Sequence, residues 1–408
     1  MIDNLLVAIE FGNKALVNEI LTQQPELVNT VFDEPNVTPF ELALKNGFSA
    51  LAEEIMNNDN VDINHAGHNP LRLAIELGFL DIAQALLHKG ANPNYRPQHM
   101  SSALLLCLDN EYFELAELMV EKGAEVNIRN DKGWTPLIWA SIKGRIKAVD
   151  FLLNHGAAVD VCNNDGWNAV TGAYFKQRLE VVDKLFAHGA VFSAKYSEVA
   201  MLSAYQNGHL NIAKKLLADG VNPDVENEDK ETMLIIAITK GDDEMVKALV
   251  AAGANPNARN KDSKPALSLL ADNGKDELIS LLNDKGANVN LQSKSGRTAA
   301  YWAAIYNQAS TLELLHAHGA NLDLRNNDGW SPLMVAASKG YLESVTQLVE
   351  LGVNTEFETE KGNTAQDIAK SNAPKHGDSR SINGRYVYPL LNSSYKEIVE
   401  YLTGTRQQ

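Results

Sequence analysis

The chain has 408 residues, 45% hydrophobic and 22% charged, so it carries enough apolar material for a packed core and is not a disordered tail. Its 52 acidic and 36 basic residues give a formal net charge of −16, which argues against nucleic-acid binding, where a basic stripe must neutralise phosphates. The same balance argues against docking on an anionic membrane and favours a protein partner with a basic surface, although acidity also keeps a long chain in solution. Cys107 and Cys162 lie 55 residues apart without metal-ligand spacing, which reads as a reducing compartment.

The N-terminal run MIDNLLVAIEFGNKALV carries Asp3 and Glu10 and no basic segment, a poor signal peptide. No apolar run reaches the roughly 20 residues that span a bilayer. The expected location is the cytoplasm. Residues 1–35 lack a Thr-Pro start and hold extra residues around Gln23–Asn29, as expected of a degenerate N-terminal capping repeat.

From residue 36 to 358 the chain repeats itself. A Gly followed by Ala or Val recurs at Gly90, Gly123, Gly156, Gly189, Gly220, Gly253, Gly286, Gly319 and Gly352, with steps of 33 except one of 31. Upstream of these glycines lie apolar pairs such as Leu86-Leu87, Leu152-Leu153 and Leu216-Leu217. Further upstream are helix starts: Thr38-Pro39, Asn69-Pro70, Thr135-Pro136 and Ser331-Pro332. Thr or Ser caps a helix and proline suits its first position, where the missing N–H costs nothing. An alanine four residues on (Ala43, Ala74, Ala140, Ala336) lets two helices approach closely. A mid-repeat glycine (Gly47, Gly78, Gly144, Gly208, Gly241, Gly274, Gly340) is predicted to end the first helix in a left-handed turn. Segments such as Asn130-Asp131-Lys132-Gly133 are predicted to turn back as β-like fingers.

These residues resemble the ankyrin repeat at its 33-residue period, over nearly the whole chain. The resemblance implies an all-α solenoid of about twelve helix-turn-helix repeats, with β-turn fingers and a concave binding face. The repeat at 163–194 is degenerate: Ala169-Val170 replaces Pro-Leu and Gln177 replaces the mid-repeat glycine. Two residues are missing near 194–198, which disturbs the finger there and leaves open whether the solenoid bends. Residues 359–408 read as a C-terminal capping repeat interrupted by an insertion at about 374–393.

Registering the repeats on Gly133 defines an outward column directly after each finger: Val37, His68, Ser101, Trp134, Trp167, Glu198, Glu231, Lys264, Arg297, Trp330 and Asn363. Trp134, Trp167 and Trp330 are candidate partner anchors, because exposed aromatics dominate interface hot spots. The competing reading is local packing of each indole over a finger. Arg297 from the same column is a further candidate. Phe175 and Tyr306, just before the mid-repeat turn, join them, and Phe175 extends a patch with Trp134 and Trp167. Trp139 and Trp302 share a column with Leu42, Leu73, Leu106, Ile236, Leu269 and Val335, and are expected to be core. The insertion offers a basic-aromatic cluster of Arg380, Arg385, Tyr386 and Tyr388. Loops longer than about 12–15 residues are usually functional or disordered.

No phosphate-binding Gly-rich loop and no HExxH occurs. His88, His155, His188, His316 and His318 sit near second-helix ends, where the helix dipole favours them, and the HxH at His316 is not read as a metal site. Asn-Asp-Gly clusters at 163–166 and 326–329 lack the remaining ligands of a calcium loop and read as turns. No catalytic, cofactor or metal residues are expected. The expected role is a scaffold or inhibitor clasping a protein partner in the groove. Chains of this look resemble bacterial ankyrin proteins, some of which are immunity proteins and others effectors, so immunity- or antitoxin-like inhibition ranks first among the subtypes. The alternatives are an adaptor that assembles a complex without inhibiting it and, less favoured, an enzyme whose site the insertion completes.

Overall fold

Most first helices start at a side-chain cap and stop at a left-handed residue, with exceptions at Met1 and Pro265 for the start and at Ala373 for the stop. In the computed structural model, which describes residues 1–33, 36–95, 102–373, 381–382, 385–386 and 391–405, these signals delimit 24 α-helices in twelve successive pairs. Thr135 Oγ1 accepts from the Ile138 amide at 3.2 Å, and Pro136 opens the helix Pro136–Lys143. At Thr38 the cap is reciprocal: the Glu41 amide donates to Thr38 Oγ1, and Glu41 Oε2 accepts from the Thr38 amide. Gly144 then ends its helix at φ 72°. Glu111, Gln177 and Asn307 take the same left-handed turn at φ 60°, 57° and 57° without being glycine. A short 3₁₀ helix, Pro25–Asn29, occupies the extra N-terminal residues.

The chain divides into two compact units, Met1–Ala200 and Met201–Gln408, and the division falls inside the helix Ser197–Gln206. Within each unit, first helices pack on first helices and second helices on second. Pro136–Lys143 lies against Ala169–Phe175, and Ile146–Asn154 against Leu179–Ala187. In the second unit, Ala299–Ile305 lies between Ala266–Ala271 and Pro332–Lys339. The long last helix, Leu391–Thr405, packs on Leu342–Glu350 and Ala365–Asn372. The core is the seam between the two layers, filled by residues such as Ala140, Leu152, Ala237, Leu249, Ala336 and Leu348. The alanines are buried because any larger side chain would hold the layers apart.

Two backbone-to-side-chain systems tie neighbouring repeats together. At the base of the fingers, Asn94 Nδ2 donates to the Gly123 carbonyl at 2.9 Å, and its Oδ1 accepts from the Glu125 amide at 2.7 Å. Asn64, Asn127, Asn257 and Asn290 do the same one repeat on. Asp160, Asp224 and Asp323 stand in this register as acceptors. In the fingers themselves, the Asn164 side chain donates to the Asp131 carbonyl, and its amide donates to that of Lys132, both at 3.0 Å. A Cβ on Gly133 would sit 2.7 Å from Asn164 Oδ1, so this contact requires glycine as well as its φ of 76°.

One expectation is corrected. The column holding Trp139 and Trp302 is not core. Leu42 and Val335 are buried there, but Leu73, Leu106, Trp139, Ile236, Leu269 and Trp302 are half-buried. The column follows the open side of the first helices, whose opposite side meets the second layer. Near the two-residue deletion, the Tyr196 and Ser197 amides donate to the Ser193 carbonyl, and the chain passes directly into the helix Ser197–Gln206. An antiparallel pair, Ser381–Ile382 with Arg385–Tyr386, lies within the expected insertion.

Candidate functional site

The outward column is held by its backbone. Asn130 Oδ1 accepts from the Trp134 amide at 2.9 Å, and Asn163 and Asn326 accept from those of Trp167 and Trp330 at 2.8 Å. Asn260 does this for Lys264, and Ser293 Oγ for Arg297. The Asn-Asp-Gly segments are thus turns whose carboxamides consume the loop amides. Each column side chain projects from a fixed platform, and all five are half-buried.

In the first unit the structure brings Trp167 and Phe175 together and adds a residue the sequence reading missed. Ring centroids of Trp167 and Phe175 are 5.8 Å apart, and Tyr196 closes a triangle at 5.7 Å and 6.0 Å from them. The tilted and edge-on geometries are those that aromatic quadrupoles favour. The triangle rests on buried Tyr174, which meets Phe175 at 5.4 Å and Phe192 at 5.6 Å. It also rests on Gly172, which occupies the Trp139 column. A Cβ there would lie 2.6 Å from Ile142 Cγ1 and 3.5 Å from Trp167 Cε3, so the missing side chain makes room for both. Tyr196 Oη donates to the Asp165 carbonyl at 3.3 Å, and Lys195 Nζ reaches the same carbonyl at 2.8 Å. The signal for Tyr196 was the deletion itself, which moves this tyrosine out of register. Trp134 does not join the patch: among the described residues no ring contact links it to Trp167.

In the second unit Arg297 and Tyr306 meet through Trp302. The Arg297 guanidinium carbon lies 5.1 Å from the indole centroid, and the half-exposed Tyr306 ring stacks on the indole at 6.4 Å and 14°. Lys264 Nζ sits 3.5 Å from the same indole centroid and pairs with Asp272, the residue that ends the helix Ala266–Ala271. Burial pushes the Asp272 carboxyl up and the Lys264 ammonium down from their usual ranges, with the ion pair opposing both shifts. Burial likewise pushes the Tyr301 phenol up, with Arg297 beside it pulling down. Three polar atoms here are buried without a protein partner: Asp272 Oδ1, Arg297 Nε and Trp302 Nε1. Each such atom costs about 1–3 kcal/mol. Trp330 is half-buried and enters no ring contact found among the described residues.

Ser101, Arg380 and Tyr388 lie outside the described residues, as do the side chains of Arg385 and Tyr386. His155 Nδ1 lies 2.8 Å from the Phe151 carbonyl and its Nε2 2.9 Å from Glu117 Oε2, which places it as a helix-end residue. Among the described residues no group of three or more His, Cys, Asp or Glu side chains is placed to hold a metal. The Cys107 thiol is buried, and burial pushes its pKa up to about 12, which disfavours the thiolate.

A family model for ankyrin repeats matches residues 5–97, 104–196, 200–293 and 267–359. The chain belongs to the ankyrin-repeat family. A comparison with curated proteins gives no match. Ankyrin repeats are protein-interaction scaffolds, typically without catalysis. No described helix is long and apolar enough to cross a membrane.

Proposed function

We propose that this ankyrin chain clasps a protein partner on its finger and first-helix face and inhibits it by covering its surface. The observation that carries the reading is the Trp167–Phe175–Tyr196 triangle, a half-exposed aromatic cluster whose Phe175 packs on buried Tyr174, itself packed on Phe192. Rigid aromatics lose little side-chain entropy on binding, which is why such groups anchor interfaces. The charge of −16 supports a partner with a basic surface, and inhibition of a basic toxin, as an immunity- or antitoxin-like protein, is the subtype it favours.

The test is affinity capture with the wild-type chain, followed by binding measurements on Phe175→Ala and Trp134→Ala. Phe175→Ala is expected to weaken the captured partner at least about tenfold, a loss of ~1.4 kcal/mol, because it opens one side of the triangle. Trp134→Ala, which no ring contact braces, should leave the thermal melt nearly unchanged while weakening binding. Wild-type affinity in both variants would remove this face from the interaction. Adding the partner to its own activity assay separates inhibition from assembly: full activity in the complex would make the chain an adaptor.

A further inference from the structure

We propose that the cluster of Lys264, Arg297 and Trp302 is a carboxylate-binding anchor that takes an acidic side chain from a peptide segment of the partner. The proposal rests on reading this face as the partner-binding surface, and it adds the chemistry of one contact.

Three observations in the second unit converge on it. Two cations face one indole: Lys264 Nζ at 3.5 Å from its centroid and the Arg297 guanidinium carbon at 5.1 Å. Only Lys264 has a carboxylate, Asp272, while no ion pair forms at Arg297 among the described residues. Lys264, Arg297 and Asp272 together carry one positive charge in a protein of net charge −16, with the Asp328 carboxylate acting on neighbouring Tyr301. The unpartnered buried atoms supply direction. Arg297 Nε and Trp302 Nε1 are donors on groups in mutual contact, both covered by protein atoms, so the two acceptor oxygens of a carboxylate meet them only after a neighbouring side chain shifts. A guanidinium offering its Nε edge suits that fork–fork pairing. Asp272 Oδ1 is an acceptor without a donor, which a backbone N–H flanking the acidic residue can supply. A peptide carries a planar carboxylate with backbone amide donors at a fixed distance from it, an arrangement that tetrahedral phosphate does not reproduce. Tyr306, half-exposed and stacked on Trp302, offers a flat apolar floor for the peptide beside them.

The contact also explains how an acidic chain selects a binding register. A net charge of −16 repels a carboxylate at long range, so one cationic, aromatic-floored spot fixes where an acidic residue of an otherwise basic partner must sit.

The test uses full-length protein with ¹⁵N-labelled tryptophan. Its five tryptophans give five indole N–H signals, and Trp302→Phe identifies the one belonging to Trp302. The probes are the capped tripeptides acetyl-Gly-Glu-Gly-amide and acetyl-Gly-Gln-Gly-amide, and sodium phosphate. The expected result is a saturable shift of the Trp302 signal with the Glu peptide, little shift with the Gln peptide or phosphate, and affinity roughly tenfold or more weaker in Arg297→Gln. Equal shifts from Glu and Gln peptides, or no shift from either, overturn the proposal. A phosphate shift matching that of the Glu peptide overturns the peptide assignment in favour of a simple anion site. The three-probe comparison is made on the wild-type protein, so it stands even where Arg297→Gln unfolds. It also reads this cluster without any partner, whereas partner capture with Phe175→Ala reads the first unit, so the two conclusions fail separately.

Discussion

Gln177 closes the first helix of its repeat at φ 57°, a conformation in which a Cβ crowds the following carbonyl. The penalty for an L-residue in this region is about 1–2 kcal/mol, offset in part by the extra freedom glycine gains when unfolded. Gln177→Gly is therefore expected to stabilise the chain by about 0.5–1 kcal/mol, read as a higher urea midpoint at unchanged slope. Asn307 occupies the same turn with the same φ, but its Oδ1 accepts from Ser344 Oγ at 2.8 Å and from the Ser344 amide at 3.3 Å. Asn307→Gly should gain nothing, because the relieved backbone is exchanged for lost hydrogen bonds. The sequence named the first of these departures because glycine alone is expected at that position. It did not name the bonds that make asparagine tolerable, since those reach a residue 37 positions away.

The helices and turns were legible because their causes are local. A Thr-Pro start, an alanine on the packed side and a left-handed stop each act within a few residues, and their spacing predicts the first-helix layer. The open side of that layer was not legible. Leu42 and Val335 share a column with Trp139 and Trp302, and apolar letters alone do not tell a covered position from an open one. Nor does register survive a deletion, so Tyr196 was missed while its neighbours Trp167 and Phe175 were named. Between neighbouring repeats the Asn bridges contribute a measurable share. Asn127 Nδ2 donates to the Gly156 carbonyl at 3.3 Å and its Oδ1 accepts from the Ala158 amide at 2.8 Å. Asn127→Ala should cost about 1–2 kcal/mol, and Asn127→Asp, which keeps the shorter bond, less than that. Equal urea midpoints for the two variants would show that only the donated bond matters.

Each unit is built of nearest-neighbour contacts, the arrangement that makes repeat proteins approximately one-dimensional. The charge of −16 acts over a longer range than any of these contacts. If the partner is basic, its association rate should fall steeply, by about tenfold or more, between 50 mM and 500 mM salt while dissociation changes less. Stopped-flow mixing checks this, and a salt-independent association rate would exclude a basic partner surface. The anchor at Arg297 adds a short-range term of the opposite sign, seated where the local charge is positive. The Asn bridges have a last consequence, concerning the order in which the chain is made. Every bridge at the finger bases points the same way: the side chain of one repeat waits for a carbonyl or amide of the next. Asn94 finds its acceptor at Gly123, 29 residues later. At a synthesis rate of about 5–20 residues per second, that partner follows about 1.5–6 s behind. A nascent repeat is thus sealed only by the birth of its successor, and the chain closes behind itself as it is made.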